Sequence, residues 1–243
     1  MQRSTGETGD RAYGCMLLGS ALASVVGALY HPTVRAPDPA STLIAMAETA
    51  ALNSGVHAFI LSVIFVQLVG FYGFSARLGI HRPLVAAGLI LFGLGTISGI
   101  AAAAINGFAL PAFASAYGGA PPDQELARVV LRLCWALNQA WSAIGAVTWG
   151  AAIILWSVAL AQERGTMRMV GVAGLIAGLS IAGGVATGLL ELDVHGFLLM
   201  VALLALWSGT VGWQMLSGRL GHFERPLHHA AHGPPPPALR GED

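Results

Sequence analysis

Residues 49–76 read TAALNSGVHAFILSVIFVQLVGFYGFSA, bounded by Glu48 and Arg77, with no charged side chain between them. A helix needs about 20 residues to cross ~30 Å of hydrocarbon at ~1.5 Å per residue. A charge at the bilayer centre costs roughly 2.5–3.5 kcal/mol. The stretch is long enough and clean enough to span a membrane. In lipid its backbone can bond only to itself, so it must be helical.

Five more intervals lack Asp, Glu, Lys and Arg: 12–34, 83–122, 133–162, 169–190 and 194–218. The spans are expected at 12–30, 55–76, 83–105, 134–161, 169–190 and 194–217. The ten-residue alternation of a β-barrel is absent. Composition agrees, because only 10% of the 243 residues are charged where a soluble domain carries about 25%. The expected architecture is an all-α polytopic transmembrane bundle of six spans arranged as three hairpins. Its parts are a cytoplasmic N-terminal segment 1–11, a transmembrane domain 12–218, and a disordered cytoplasmic His/Pro-rich tail 219–243. The interval 83–122 is too long for one span. Pro111, Gly118, Gly119, Pro121 and Pro122 break its second half, leaving an apolar outer segment through Phe108, Leu110, Phe113 and Tyr117.

Arginine placement orients the chain. All 12 basic residues are Arg, and six spans with a cytoplasmic N-terminus put nine of them inside: Arg3, Arg11, Arg77, Arg82, Arg164, Arg168, Arg219, Arg225 and Arg240. Arg35, Arg128 and Arg132 fall outside. That asymmetry is what the positive-inside rule expects, so both termini are placed in the cytoplasm and the protein in a bacterial inner membrane. Ala21-Leu22-Ala23 has the form of a signal-peptidase site, but the apolar run continues unchanged to Tyr30 and Glu7 and Asp10 spoil a basic leader, so the first span is expected to be retained. A net charge of zero removes nucleic acid from the possible partners. Cys15 and Cys134 lie in apolar runs without metal-ligand spacing.

The 32 glycines suggest how the helices meet. Gly95 with Gly99, Gly174 with Gly178, Gly184 with Gly188, and Gly19 with Ala23 and Gly27 form small-residue seams for packing within the bundle, or against other membrane subunits or a second copy. Tyr30, Phe59 and Trp135 are expected at the outer interface, and Tyr72, Phe74 and Trp213 at the inner one; Trp207 falls mid-membrane as a packing residue.

A modest internal repeat draws attention to one level of the bundle. Val56-His57-Ala58-Phe59 opens the second span and Val194-His195-Gly196-Phe197 the sixth, while Ala76-Arg77-Leu78-Gly79 and Gly218-Arg219-Leu220-Gly221 close them. His57 and His195 therefore share the outer level, with Asn53 and Glu191 four residues before them on the same helical face. His31, Glu48, Asp193, Asn106, Asn138 and Gln139 fall at that level too. A metal or haem site is one reading of this ring: imidazole is the commonest metal nitrogen donor, and His57, His195 and His31 with Glu48, Glu191 or Asp193 supply ligands for haem b or a transition metal. A titrating pocket for a small molecule or protons is a second. The third is interfacial, with helix caps and headgroup-level side chains and no ligand.

No H-E-x-x-H, G-x-S-x-G or P-loop occurs. The reading is a non-catalytic membrane protein with an outward His/carboxylate site, Asn53, Asn106, Asn138 and Gln139 supporting it. The alternatives are an accessory subunit of a larger membrane complex, and a transporter or membrane enzyme. A short helix is expected after Asp38-Pro39. Pro121-Pro122-Asp123 begins an amphipathic lead-in to the fourth span, one that rests on headgroups or lids the polar ring.

Overall fold

Each charge-free interval becomes helix in the computed structural model, which describes residues 3–32, 34, 36–117 and 123–220. The elements are α1 (Arg3–Leu29), α2 (Pro39–Glu48), α3 (Ala50–Leu78), α4 (Pro83–Ala103), a π-helical turn (Ala104–Ala109), α5 (Leu110–Tyr117), α6 (Gln124–Ala161), α7 (Thr166–Ala186) and α8 (Val194–Leu216). No strand occurs among the described residues. Six helices are long and apolar enough to cross a membrane: α1, α3, α4 continued through the π turn and α5, α6, α7 and α8. This is an all-helical, multi-pass architecture. The tail from residue 221 onward lies outside the described residues, as do Arg35, Pro121 and Pro122.

The helices close a ring in chain order. α1 packs on α3, α3 on α4, α4 on α6, α6 on α7 and α7 on α8, and α8 returns to α1. Aromatic side chains fill the middle. Phe71 stacks on Trp156 with ring centroids 4.7 Å apart, and Trp156 lies parallel to Trp207 at 6.2 Å. Buried indole N–H groups need acceptors. Trp156 Nε1 donates to the Val85 carbonyl and Trp207 Nε1 to the Val170 carbonyl, both at 3.3 Å. Trp207 is thus the packing residue its position implies. Phe74, expected at an interface, is instead fully buried against Trp156 and Trp207. The other interface aromatics, Tyr30, Phe59, Tyr72, Trp135 and Trp213, are exposed on the bundle surface.

Glycines make room for this packing. A methyl on Gly178 would stand 2.7 Å from the Gly150 carbonyl oxygen, and one on Gly174 would collide with Ser157 Oγ and Trp207 Nε1. Gly95 and Gly99 both face Trp149, Gly27 faces Phe59 and Ile60, and Gly184 faces Leu190. Gly19 meets nothing within 4 Å, so the first seam is only partly used inside the bundle.

The two ends of the bundle differ. At one end Arg77 closes α3 by pairing with Asp10 of α1 at 2.6 Å and donating from Nε and Nη2 to the Leu220 carbonyl at 3.1 and 3.0 Å. The closing arginine of one repeat therefore holds the closing segment of the other. At the opposite end Leu43 of α2, Leu110 and Ala114 of α5 and Ala127 of α6 bury one another in a small second core. The amphipathic lead-in is the first part of a continuous 38-residue α6. Ala127 packs it into this cap, while Arg128 pairs with Glu125 on the exposed side.

Residues 105–117 also depart from expectation, since the helix does not break at Pro111. A proline removes one N–H and crowds the carbonyl four residues back. Widening to a π turn over Ala104–Ala109 absorbs that crowding, and the chain continues as α5.

The seam predicts a contrast. Gly174→Ala should destabilise the detergent-solubilised protein by about 1–3 kcal/mol through overpacking. Gly93→Ala, where nothing lies within 4 Å, should be neutral or slightly stabilising because alanine is the better helix former. Thermal unfolding of the two variants beside the parent checks this, and equal effects would count against the packing described.

Candidate functional site

The site grows out of the backbone around Pro111. In a regular helix the Pro111 N–H would serve the Gly107 carbonyl, or in π geometry the Asn106 carbonyl. Neither can be served by proline. Helix α3 supplies the missing donors: Asn53 Nδ2 donates to the Asn106 carbonyl at 2.9 Å and Ser54 Oγ to the Gly107 carbonyl at 2.8 Å. Two adjacent polar residues on one turn of α3 thus dock onto the two carbonyls that the π turn exposes.

That docking fixes His57, one turn further along. Its ring lies so close to Gly107 that a Cβ there would overlap the imidazole, so only glycine admits the contact. His57 Nδ1 lies 2.9 Å from the Asn53 carbonyl. Because a carbonyl only accepts, Nδ1 is the donor, and in the neutral ring Nε2 keeps its lone pair. The side chain is buried, 5% exposed. Asn53 therefore acts twice, through its amide on the π turn and through its carbonyl on the imidazole.

His31, just past the end of α1, completes the pair. Its ring lies edge-to-face with His57 at a centroid separation of 4.9 Å, and 6.2 Å from Phe197 of α8. It lines a cleft of about 350 Å³, open mouth included, together with Met46, Thr49, Asn53 and Asn106. Burial lowers the His31 pKa, and the neighbouring His57 lowers it further. Three elements, the end of α1, the start of α3 and the π turn, thus bring polar side chains to one place under the α2 cap.

The remaining candidate residues are not part of this group. His195 is exposed and approaches Asp193, with 3.7 Å between Nδ1 and Oδ2. Asp193 caps α8 by accepting from the Gly196 N–H at 2.8 Å, which with His195 nearby holds its carboxyl below the ordinary carboxylate range. Glu48 ends α2 and Glu191 lies in the α7–α8 connection, both exposed. Gln139 Nε2 donates to the Leu192 carbonyl at 3.2 Å, tying α6 to that connection, and Asn138 is half-buried beside it. The structure thus brings together His31, His57, Asn53 and Asn106, and leaves His195 and the three carboxylates on the surface. Among the described residues no three His, Cys, Asp or Glu side chains gather.

Ser54, Gly107, Thr49 and Met46 were not singled out by the sequence reading. The first two had a signal: Gly107 precedes Pro111 by four positions, and Ser54 adjoins Asn53. No known protein family, curated protein or solved structure matches the chain.

The depressed His31 pKa has a consequence for stability. A histidine whose folded pKa lies below its ordinary value of 6.5 binds fewer protons folded than unfolded. Its contribution is therefore present above that value and is lost as pH falls through it. Melting temperature should drop between pH 8 and about pH 5, and His31→Gln should shrink the drop. An unchanged pH dependence in that variant would show that His31 does not titrate as its burial implies.

Proposed function

We propose that this is a non-catalytic, multi-pass protein of a bacterial inner membrane, whose paired histidines bind a transition-metal ion at the outward end of the bundle. The observation that carries the reading is the His31–His57 pair at 4.9 Å. Two imidazoles on one tetrahedral ion, with metal–nitrogen bonds of about 2.0–2.1 Å, hold their centroids about 5 Å apart. His57 is buried and its tautomer is set by Asn53, the kind of support that orients a metal-ligating histidine. His31 lines the open cleft, where its ring is accessible to an ion.

An ion fits this pair better than a haem does. Trans axial imidazoles stand on opposite sides of a porphyrin, and no macrocycle passes between rings in edge contact. A haem between His57 and His195 would need both rings to face one slot, whereas His57 faces His31 and His195 is exposed beside Asp193. The arginines support the outward placement, because Arg77, Arg82, Arg164, Arg168 and Arg219 lie at or between the helix ends opposite the histidines. With two ligating histidines gathered among the described residues, further donors must come from the cleft or from water.

The test is metal content and titration. The purified protein in detergent should bind one equivalent of added Co(II), Ni(II), Zn(II) or Cu(I) that is lost in His31→Ala. That variant lies beyond the end of α1, and a monodisperse size-exclusion profile would show that it folds. Failure to bind any of these ions would overturn the reading, and a Soret band on the protein as isolated would favour haem instead.

A further inference from the structure

The donors around the histidine pair also bear on which ion it takes. The cleft is lined by His31, Met46, Thr49, Asn53 and Asn106 among others, and no carboxylate or cysteine is among the described residues that line it. His57 lies behind it, its ring packed against that of His31. Among the described residues the donors there are neutral: the His31 imidazole with that of His57 behind it, a thioether, a hydroxyl and amides. Hard divalent ions favour carboxylate oxygen, and zinc sites draw on thiolate or carboxylate as well as imidazole. The distinctive donor is the Met46 thioether, a soft ligand that selects Cu(I).

Charge points the same way. An ion in a half-buried site loses hydration, at a cost that rises steeply with its charge, and neutral ligands offset none of that charge. A monovalent ion is the least penalised. Glu48, Glu191 and Asp193 are exposed, Asp193 is engaged with the α8 N-terminus, and the Asp38 carboxylate is engaged with Ser41 at the start of α2.

We infer that the site selects Cu(I), held by His31, His57 and the sulfur of Met46; this rests on the histidine-pair reading above. Met46 sits on α2, partly buried against the small second core. That placement couples the cap helix to the site, because an ion bound this way ties α2 to the end of α1 and to α3.

The experiment uses the full-length protein in detergent, with competing soft and imidazole ligands removed. Cys15 and Cys134 are replaced by Ala, and His222, His228, His229 and His232 of the tail by Ala. Cu(I) affinity is measured by competition with a chromogenic Cu(I) chelator, and Zn(II) and Ni(II) are titrated in parallel. The expected result is one equivalent of Cu(I), with nitrogen and sulfur both present in its X-ray absorption spectrum. Loss of a supporting residue alone commonly costs 10–100-fold in metal affinity. Met46→Leu, which conserves volume, should therefore weaken Cu(I) more than about tenfold and leave Zn(II) unchanged. Zn(II) or Ni(II) binding that depends on His31, with no Cu(I) binding or no effect of Met46→Leu, would overturn the Cu(I) inference while leaving the histidine site standing. Absence of any bound metal would overturn both.

Discussion

A buried backbone carbonyl needs a donor, and Pro111 leaves one such group without its usual one. The site at this end of the molecule follows from how that debt is met. The helix widens into a π turn instead of ending, and the carbonyls of Asn106 and Gly107 turn toward α3. Asn53 and Ser54 answer them, which sets α3 against the π turn in a single register. One turn on, His57 is laid against a glycine that admits it and is oriented by the carbonyl of the same Asn53. The buried histidine and the polar cleft are thus side effects of satisfying a backbone interrupted by proline.

The rest of the bundle obeys the same constraint with less strain. Spans α1, α3, α7 and α8 need only regular helices, and their association depends on shape, since lipid supplies no hydrophobic drive between them. Glycine sockets let large aromatics reach the middle: Gly88 faces Trp156, and Gly174 faces Trp207. Each indole then finds a carbonyl on a neighbouring helix, so the largest side chains also bond one helix to the next. The outward faces carry exposed Leu22, Phe65, Ile90, Ile176 and Leu206, as a lipid-facing surface should.

Much of this architecture was legible in the sequence because charge is excluded from lipid so strongly. The six intervals free of Asp, Glu and Arg map onto six long helices, and the departure over residues 105–117 has its cause in Pro111. The error there was to treat proline as a terminator. In water a helix can end and hydrate its carbonyls; here side chains of α3 do that work and the helix goes on. The site was legible only as a level. Period and spacing placed His31, His57, His195, Asn53 and Asn106 at one end, but nothing in a single sequence says which helix neighbours which. His57 and His195 looked paired because their flanking residues repeat, yet the ring order sets α3 beside α1 and α4, and His57 meets His31. Met46 carried no signal, because a methionine on a short apolar helix reads as filler until the cleft beside it is seen.

The two ends of the bundle are held by different forces, and this decides where change is easiest. At the Arg77 end one guanidinium binds Asp10 of α1 and the Leu220 carbonyl beyond α8, so three helices share one charged knot. A charge-assisted, multidentate contact of this kind is short and directional, and it resists sliding. At the histidine end α1 has already ended, and its His31 meets α3 through a ring contact with His57. The cap there rests on a small core of Leu43, Leu110, Ala114 and Ala127. Few buried contacts mean a low local opening free energy. A ligand held jointly by His31 and His57 would supply a further tie between α1 and α3 at that end. Since a ligand shifts a conformational equilibrium only by its differential affinity, such a tie would show itself as order gained in the cap and the α1 end, with the Arg77 end unchanged.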